Sequence, residues 1–412
     1  MRKLVLIAVS FMLLLIASFC LLFFLLHAGT DVTDTKLAGA SFSVDSYGAK
    51  GDGQSDDSQA FLKAWNDACG SAKGTPTLFV PKGKAYLFQP VKLKGPCKPA
   101  SISVQQIQGN IIAPESVDAW KWSDDDKDAW IRFSGINGLV INGGGQIDGQ
   151  GASWWKCGSD GNCPRPTALH FHSCQNLQLS DLTHINSPKN HISINTCNDT
   201  HISNLHFIAP EDSPNTDGID ISASSNVFIH NCKIETGDDC VAINTGSSFI
   251  NISDVACGPG HGISIGSLGE HGESAEVEEI YVRNCNFTGT QNGARIKTWE
   301  GGSGYARKIT FEDITLIAPK NPIIIDQHYD PLPAATNNSA VKVSDVTYRR
   351  VYGTSAVENA IKLDCSNSVG CTNIVLEDIN ITSSVLGKDT YAFCNNAHGR
   401  SSSSTPNVTC LD

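Results

Sequence analysis

"NLQLSDLTHI" (176–185), "DTHISNLHFI" (199–208) and "NVFIHNCKIE" (226–235) are three versions of one phrase. Each alternates apolar and polar residues, passes an Asp or Asn, and resumes with an apolar residue or Cys. Four more copies follow: "FINISDVACG" (249–258), "EEIYVRNCNF" (278–287), "RKITFEDITL" (307–316) and "TNIVLEDINI" (372–381). Alignment on Leu179, Ile202, Ile229, Ile252, Val282 and Phe311 gives steps of 23, 27, 23, 30 and 29 residues. Alternation of period two marks strands, and self-similarity at this longer period marks a solenoid. Gly, Asn and Ser fill the corners and no helical pattern separates the units, so leucine-rich and βαβ arrangements fit poorly. The expected fold is all-β, a single-domain right-handed parallel β-helix in which residues one repeat apart stack at about 4.8 Å.

The repeat is evident from residue 135 onward. Asn204, Asn231 and Asn284, with the cysteines at equivalent positions, are read as interior stacking residues. Upstream, "SDDSQAFLKAWNDAC" (55–69) carries Ala60, Phe61, Ala64, Trp65 and Ala68 at helical spacing, with Ser55, Asp56 or Asp57 as the cap. This short helix is expected to cover the open end of the coil, where sheet edge and apolar core are otherwise exposed. Earlier still, Arg2 and Lys3 precede an uncharged apolar run, Leu4 to Ala28. Residues 1–29 read as a signal peptide, or as a signal anchor if uncleaved, since the run is long enough for a bilayer span of roughly 20 residues. Residues 30–41 read as a low-complexity stub, and 42–412 as the β-helix domain.

Export agrees with the rest of the composition. Cys20 falls in the leader, which leaves 14 of the 15 cysteines, an even number. Six Asn-x-Ser/Thr sequons stand at Asn198, Asn251, Asn286, Asn337, Asn380 and Asn407. A secreted, extracellular protein is expected, without stable membrane association once the leader is cleaved. The net charge of −12 argues against nucleic acid as a partner. A polyanion would be repelled at long range unless basic residues gather in a cleft.

Such a gathering is visible at rung spacing. "SPNTDGIDIS" holds Asn215 and Asp217, "TGDDCVA" holds Asp238 and Asp239, "GPGHGISIGS" holds His261, "GARIKTW" holds Arg295 and Lys297, and "DQHYDP" holds Tyr329. The steps from Asp217 to Asp238, His261, Arg295 and Tyr329 are 21, 23, 34 and 34 residues. Taken singly, each is an ordinary turn or a solvated pair. Together, on consecutive rungs, they place three carboxylates, a histidine, two cations and a tyrosine along one face. Adjacent carboxylates repel, so one of them is expected to keep its proton to higher pH. Three carboxylates on neighbouring rungs suit inverting glycoside hydrolysis, which needs an acid and a base about 6.5–9.5 Å apart with water between them. Arg295 and Lys297 suit a substrate carboxylate, Arg as a fork and Lys as a point charge. Both aspartates of the pair can face one cleft only at a corner, which Gly237 is expected to permit through its backbone freedom.

"NTDG", "GDDC", "GHG" and "RIK", in this order, resemble the signature motifs of the polygalacturonases, glycoside hydrolases of family 28. Plant-type similarity extends to "YGAKGDGQSDDSQAF" (47–61), "IDGQGASWW" (147–155), "NSPKNHI" (186–192) and "GGSGYARKITFEDI" (301–314). The resemblance implies inverting hydrolysis of α-1,4-linked galacturonan in the plant cell wall by a monomer, without cofactor or metal. It implies Asp238 as general acid, Asp217 and Asp239 as activators of water, and His261 as a support for the acid or a sugar contact. It places Asn215, Arg295, Lys297 and Tyr329 against the substrate. It also implies disulfides Cys240–Cys257, Cys365–Cys371 and Cys394–Cys410. One departure stands out: many plant members have Cys after the Tyr of the last motif, where this chain has Asp330 and Pro331. Competing readings are a calcium-dependent pectate lyase, a hydrolase of rhamnogalacturonan or xylogalacturonan, and a non-catalytic pectin-binding relative.

Overall fold

The computed structural model describes residues 38–72, 74–104, 107–123, 126–156, 163–329 and 340–411. The signal segment, most of the stub, the Asn337 sequon and the Asp330–Pro331 departure lie outside them. Eleven strands, from Val91–Lys94 to Tyr391–Asn395, stack in parallel into one sheet, and a second assembly of 22 strands carries the other faces of the coil. All the pairings within the eleven-stranded sheet are parallel, so the chain turns through successive rungs of a β-helix.

The register follows the sequence alignment residue for residue. Leu179 pairs with Ile202, Ile202 with Ile229, Ile229 with Ile252, Ile252 with Val282 and Val282 with Phe311. The column continues through Tyr348 and Leu376. All of these side chains are buried, because a period of two sends them inward on every rung. The eleven-stranded sheet supplies a facing column, Phe171, Ile194, Ile221, Ile243, Ile265, Ile296, Ile325 and Leu363. Rings stack where they meet, as Phe311 and Tyr348 do at 5.5 Å and 6°.

The asparagines stack, but not in the interior. Asn231 donates to Asn204 at 2.7 Å and Asn204 to Asp181 at 2.9 Å, yet all of Asn204, Asn231 and Asn284 are exposed. Asp181, Asn204 and Asn231 have φ of 55°, 56° and 53°, a left-handed corner that Asn and Asp tolerate better than other side chains. The corner throws the next residue inward, so Leu182, Leu205, Cys232 and Cys285 are buried instead.

The rungs also begin earlier than residue 135. Strands Ala38–Ser43 and Asp52–Asp56 precede the helix and join the sheet, and five more strands lie between Thr75 and Ile112. Several are three residues long, too short to show alternation. Helix α1 (Ser58–Gly70) buries the five apolar residues expected of it. Phe61 meets Phe88 at 4.7 Å and Trp65 meets Phe133 edge-on at 5.8 Å, which seats α1 on the first rungs. Asp57 occupies the N-cap position without capping. Its carboxylate accepts instead from the Lys50 and Gly51 N–H groups, while Asp56 accepts from the Ser58 N–H.

The disulfides Cys240–Cys257, Cys365–Cys371 and Cys394–Cys410 are present, with Cys69–Cys97 in addition at the end of α1. The even count does not mean full pairing: Cys174, Cys197, Cys232 and Cys285 are free and buried in the coil.

Removing a ring from the inner column tests its contribution. Phe311→Ala leaves a cavity beneath Tyr348 and is expected to cost about 3–5 kcal/mol, read as a shift of the urea midpoint. A loss below ~1 kcal/mol would mean the column is not tightly packed.

Candidate active site

The corner between strands Lys233–Glu235 and Val241–Ile243 carries Gly237, Asp238 and Asp239. Gly237 is required for closeness rather than for an unusual φ. A Cβ there would stand 2.1 Å from the Ser213 carbonyl oxygen, and its N–H donates to Thr216 Oγ1 at 3.0 Å. Register places the neighbours: Ile219, Val241 and Ile263 pair in turn. Asp217, Asp239 and His261 each stand two residues ahead of them, one per rung.

Asp239 is the most enclosed of these groups, 1% exposed. Arg295 Nη2 donates to its Oδ1 at 2.6 Å and Lys297 Nζ to its Oδ2 at 2.9 Å. Ser264 Oγ donates to Oδ1 at 2.8 Å and itself accepts from Arg295 Nε at 2.8 Å. Asp238, at 17%, keeps an open side. Its Oδ1 meets His261 Nδ1 at 2.9 Å and accepts the Asp239 N–H at 2.8 Å, and its Oδ2 accepts from Asn215 Nδ2 at 3.3 Å. Lys297 Nζ lies 5.1 Å from the centre of the Tyr329 ring. Trp299 meets that ring edge-on at 5.6 Å. A cavity of about 450 Å³ is lined by Asp238, His261, Arg295 and Tyr329, together with Asp326 and Lys362.

The electrostatics differ from the simple picture of a repelling pair. Burial pushes Asp238 up, but the His261 ring, the Lys297 charge and the Asp239 N–H outweigh it and hold the carboxyl below its usual value. The raised group is Asp217, lifted well above the carboxylate range by burial, then by Asp220, Asp238 and Asp239. Asp220 is pushed up to about 7 by burial and by Asp239, and its Oδ1 is enclosed without a hydrogen-bond partner among the described residues.

Three participants were not singled out from the sequence. Asp220 stands three residues after Asp217, within the same motif. Ser264 lies on the strand after His261 and pairs in register with Arg295. Arg165 donates to the Pro214 carbonyl at 2.5 Å and to Asn215, and feels the charges of Asp238 and Asp217. It is distant in sequence and carries no motif.

Among the described residues, two groups offer metal-ligating atoms within 4.8 Å of one another: Asp238, Asp239 and His261, and Asp326, His328 and Asp364. In the first, both oxygens of Asp239 already hold cationic side chains, which would repel a divalent ion. In the second, Asp364 is paired with Lys362 at 3.3 Å and His328 at 3.4 Å.

A family model, Glycosyl hydrolases family 28, matches residues 69–405. The chain is 52% identical to a probable polygalacturonase of Arabidopsis thaliana, over 90% of this chain and 81% of the relative. It is 45% identical to a polygalacturonase of Persea americana, over 86% and 76%. Among solved structures, an endo-xylogalacturonan hydrolase from Aspergillus tubingensis is similar with a TM-score of 0.77 at 26% identity, covering 88% of this chain and 99% of that one. An exopolygalacturonase from Thermotoga maritima shares the fold with a TM-score of 0.75 at 20% identity, covering 89% and 91%.

The raised proton affinity of Asp220 has a consequence for stability. A carboxyl whose folded value lies near 7 against 3.8 unfolded contributes stability that is full below the unfolded value and lost as pH rises through the folded one. Asp220→Asn is therefore expected to match the parent's thermal midpoint near pH 4 and to exceed it near pH 8. An offset of equal size at both pH values would contradict this ionisation.

Proposed function

Because the chain belongs to glycosyl hydrolase family 28, we propose that it is a polygalacturonase, cleaving the α-1,4 bonds of galacturonan in pectin with inversion. What carries this reading is the meeting of three carboxylates with Arg295 and Lys297 at one corner of the coil. Asp238, open to the cavity, is the general acid. Its proton passes to the glycosidic oxygen as the bond from C1 to that oxygen breaks, and water attacks C1 from the opposite face. Asp217 and Asp239 activate this water. Asp217, ionised once its own proton has moved to Asp238, takes a proton from this water, and Asp239, fixed by Arg295, Lys297 and Ser264, aligns it.

Substrate binding corrects the low proton affinity of Asp238. The Lys297 charge is one of the influences holding it down. A galacturonate carboxylate taken up by Arg295 and Lys297, beside Tyr329 and Asn215, offsets that charge, so that the proton held by Asp217 passes to Asp238, with His261 as its partner, and Asp217 is left ionised. Substrate thus arms the acid. The four carboxyls of the cluster share protons, so their titration belongs to the group rather than to one member. The leader, the disulfides and the sequons support export to the cell wall, since disulfides persist in oxidising compartments.

Incubation with polygalacturonic acid in the presence of a chelator tests the reaction. New reducing ends without unsaturated product are expected, and Asp238→Asn is expected to lower the rate about 10²–10⁴-fold. Unsaturated product that needs calcium would indicate elimination, and faster turnover of xylogalacturonan would move the substrate to that branched backbone. A rapid fall in viscosity would mark internal cleavage, a slow one release from chain ends. The arming of Asp238 is separable from this. The basic limb of kcat, which reports the loaded enzyme, is expected at higher pH than that of kcat/KM, which reports the free enzyme. Coincident limbs would mean that substrate does not change the acid.

A further inference from the structure

On the side of the coil formed by the repeated phrase, one outward column runs His201, Phe228, Asn251, Tyr281 through successive registered rungs. The first two rings stack at 4.8 Å and 11°. The third position breaks the row of rings with an asparagine, and the apolar surface beside it is uncovered. Phe228 is 39% exposed and Phe249, two residues before Asn251, is 57% exposed. Together they line a groove of about 470 Å³ with Asn226, Tyr281 and Lys308. Exposed rings gathered in one groove call for an occupant.

Asn251 is also the acceptor of the sequon Asn251-Ile252-Ser253. Its side chain is half-buried in the groove and has no hydrogen-bond partner among the described residues. Asn198 provides the contrast. There the side-chain oxygen accepts from Ser225 and Asn226, and the amide donates to Asp199.

We infer that Asn251 carries an N-linked glycan whose first N-acetylglucosamine ring fills the break in the aromatic row, seated on Phe228 and Phe249. A pyranose ring has an apolar C–H face that suits an aromatic face, and the acetamido and hydroxyl groups meet the polar rim of Asn226 and Lys308. The glycan thereby covers two exposed phenylalanines on the side of the coil that carries none of the catalytic groups. Attachment forms a bond from Asn251 Nδ2 to C1 of the sugar. The pyrophosphate of a lipid-linked oligosaccharide leaves, and Nδ2 loses one proton, with no change in oxidation state. The inference rests on the export reading, because attachment occurs only in the secretory pathway.

The full chain secreted from a eukaryotic host provides the test. Glycopeptide mass spectrometry is expected to find Asn251 occupied. Asn251 bare while Asn380 or Asn407 is occupied would overturn the inference and leave export standing; no glycan at any sequon on secreted protein would overturn it as well. The seat itself is read from a cycle of Asn251→Gln and Phe249→Ser. Loss of the glycan is expected to lower the thermal midpoint by about 1–2 °C with Phe249 present, and to have no effect in the Phe249→Ser background. Equal shifts in both backgrounds would mean that the sugar does not rest on the ring. Mass spectrometry of the parent protein decides occupancy even if a variant fails to fold.

Discussion

Hydrogen bonds between parallel rungs fix a strand spacing of about 4.8 Å, and that spacing positions every group in the cleft. Asp217, Asp239 and His261 are far apart in sequence yet occupy the same place on three consecutive rungs. Arg295 reaches Asp239 directly across two of them, and Ser264, in register with Arg295, bonds to both. No loop has to fold correctly by itself to assemble the cluster. The apolar columns hold the register, and the register holds the chemistry.

The second constraint is the enclosure of Asp239. A charge taken out of water is costly unless paired and hydrogen-bonded, and Asp239 has two cations and a hydroxyl. The proposed mechanism gives the same two cations to the substrate carboxylate, so substrate and enzyme carboxylates would share one pair. That sharing links recognition to catalysis. In the proposed mechanism, charge drawn toward the substrate no longer holds Asp238 in its ionised form, and the acid gains its proton when there is a bond to cleave.

The sequence is most legible where the coil repeats most regularly. The alignment on Leu179 through Phe311 predicts the register without error, since one slip would turn every side chain to the other face. It is least legible where geometry, not pattern, decides. The early rungs are too short to alternate, and the stacked asparagines turn outward because a left-handed corner intervenes. Gly237 is needed because a carbonyl from Ser213 presses close, a contact between chain segments that no local motif reports. At the site, the motif residues converge as expected, whereas Asp220, Ser264 and Arg165 act through partners that only the fold brings near. The proton order is the subtlest case. Adjacent aspartates suggest that one of the pair holds a proton, but the carboxyls whose proton affinity is raised are Asp217 and Asp220, where burial is the largest cause.

The most direct measurement follows the anomeric proton of the product by NMR in the first minutes of galacturonan cleavage, before mutarotation. Water delivered by Asp217 and Asp239 to the face opposite Asp238 predicts that an α-linkage releases the β-anomer first. Initial release of the α-anomer would mean a covalent intermediate on one of these carboxylates, and would contradict the roles given to all three.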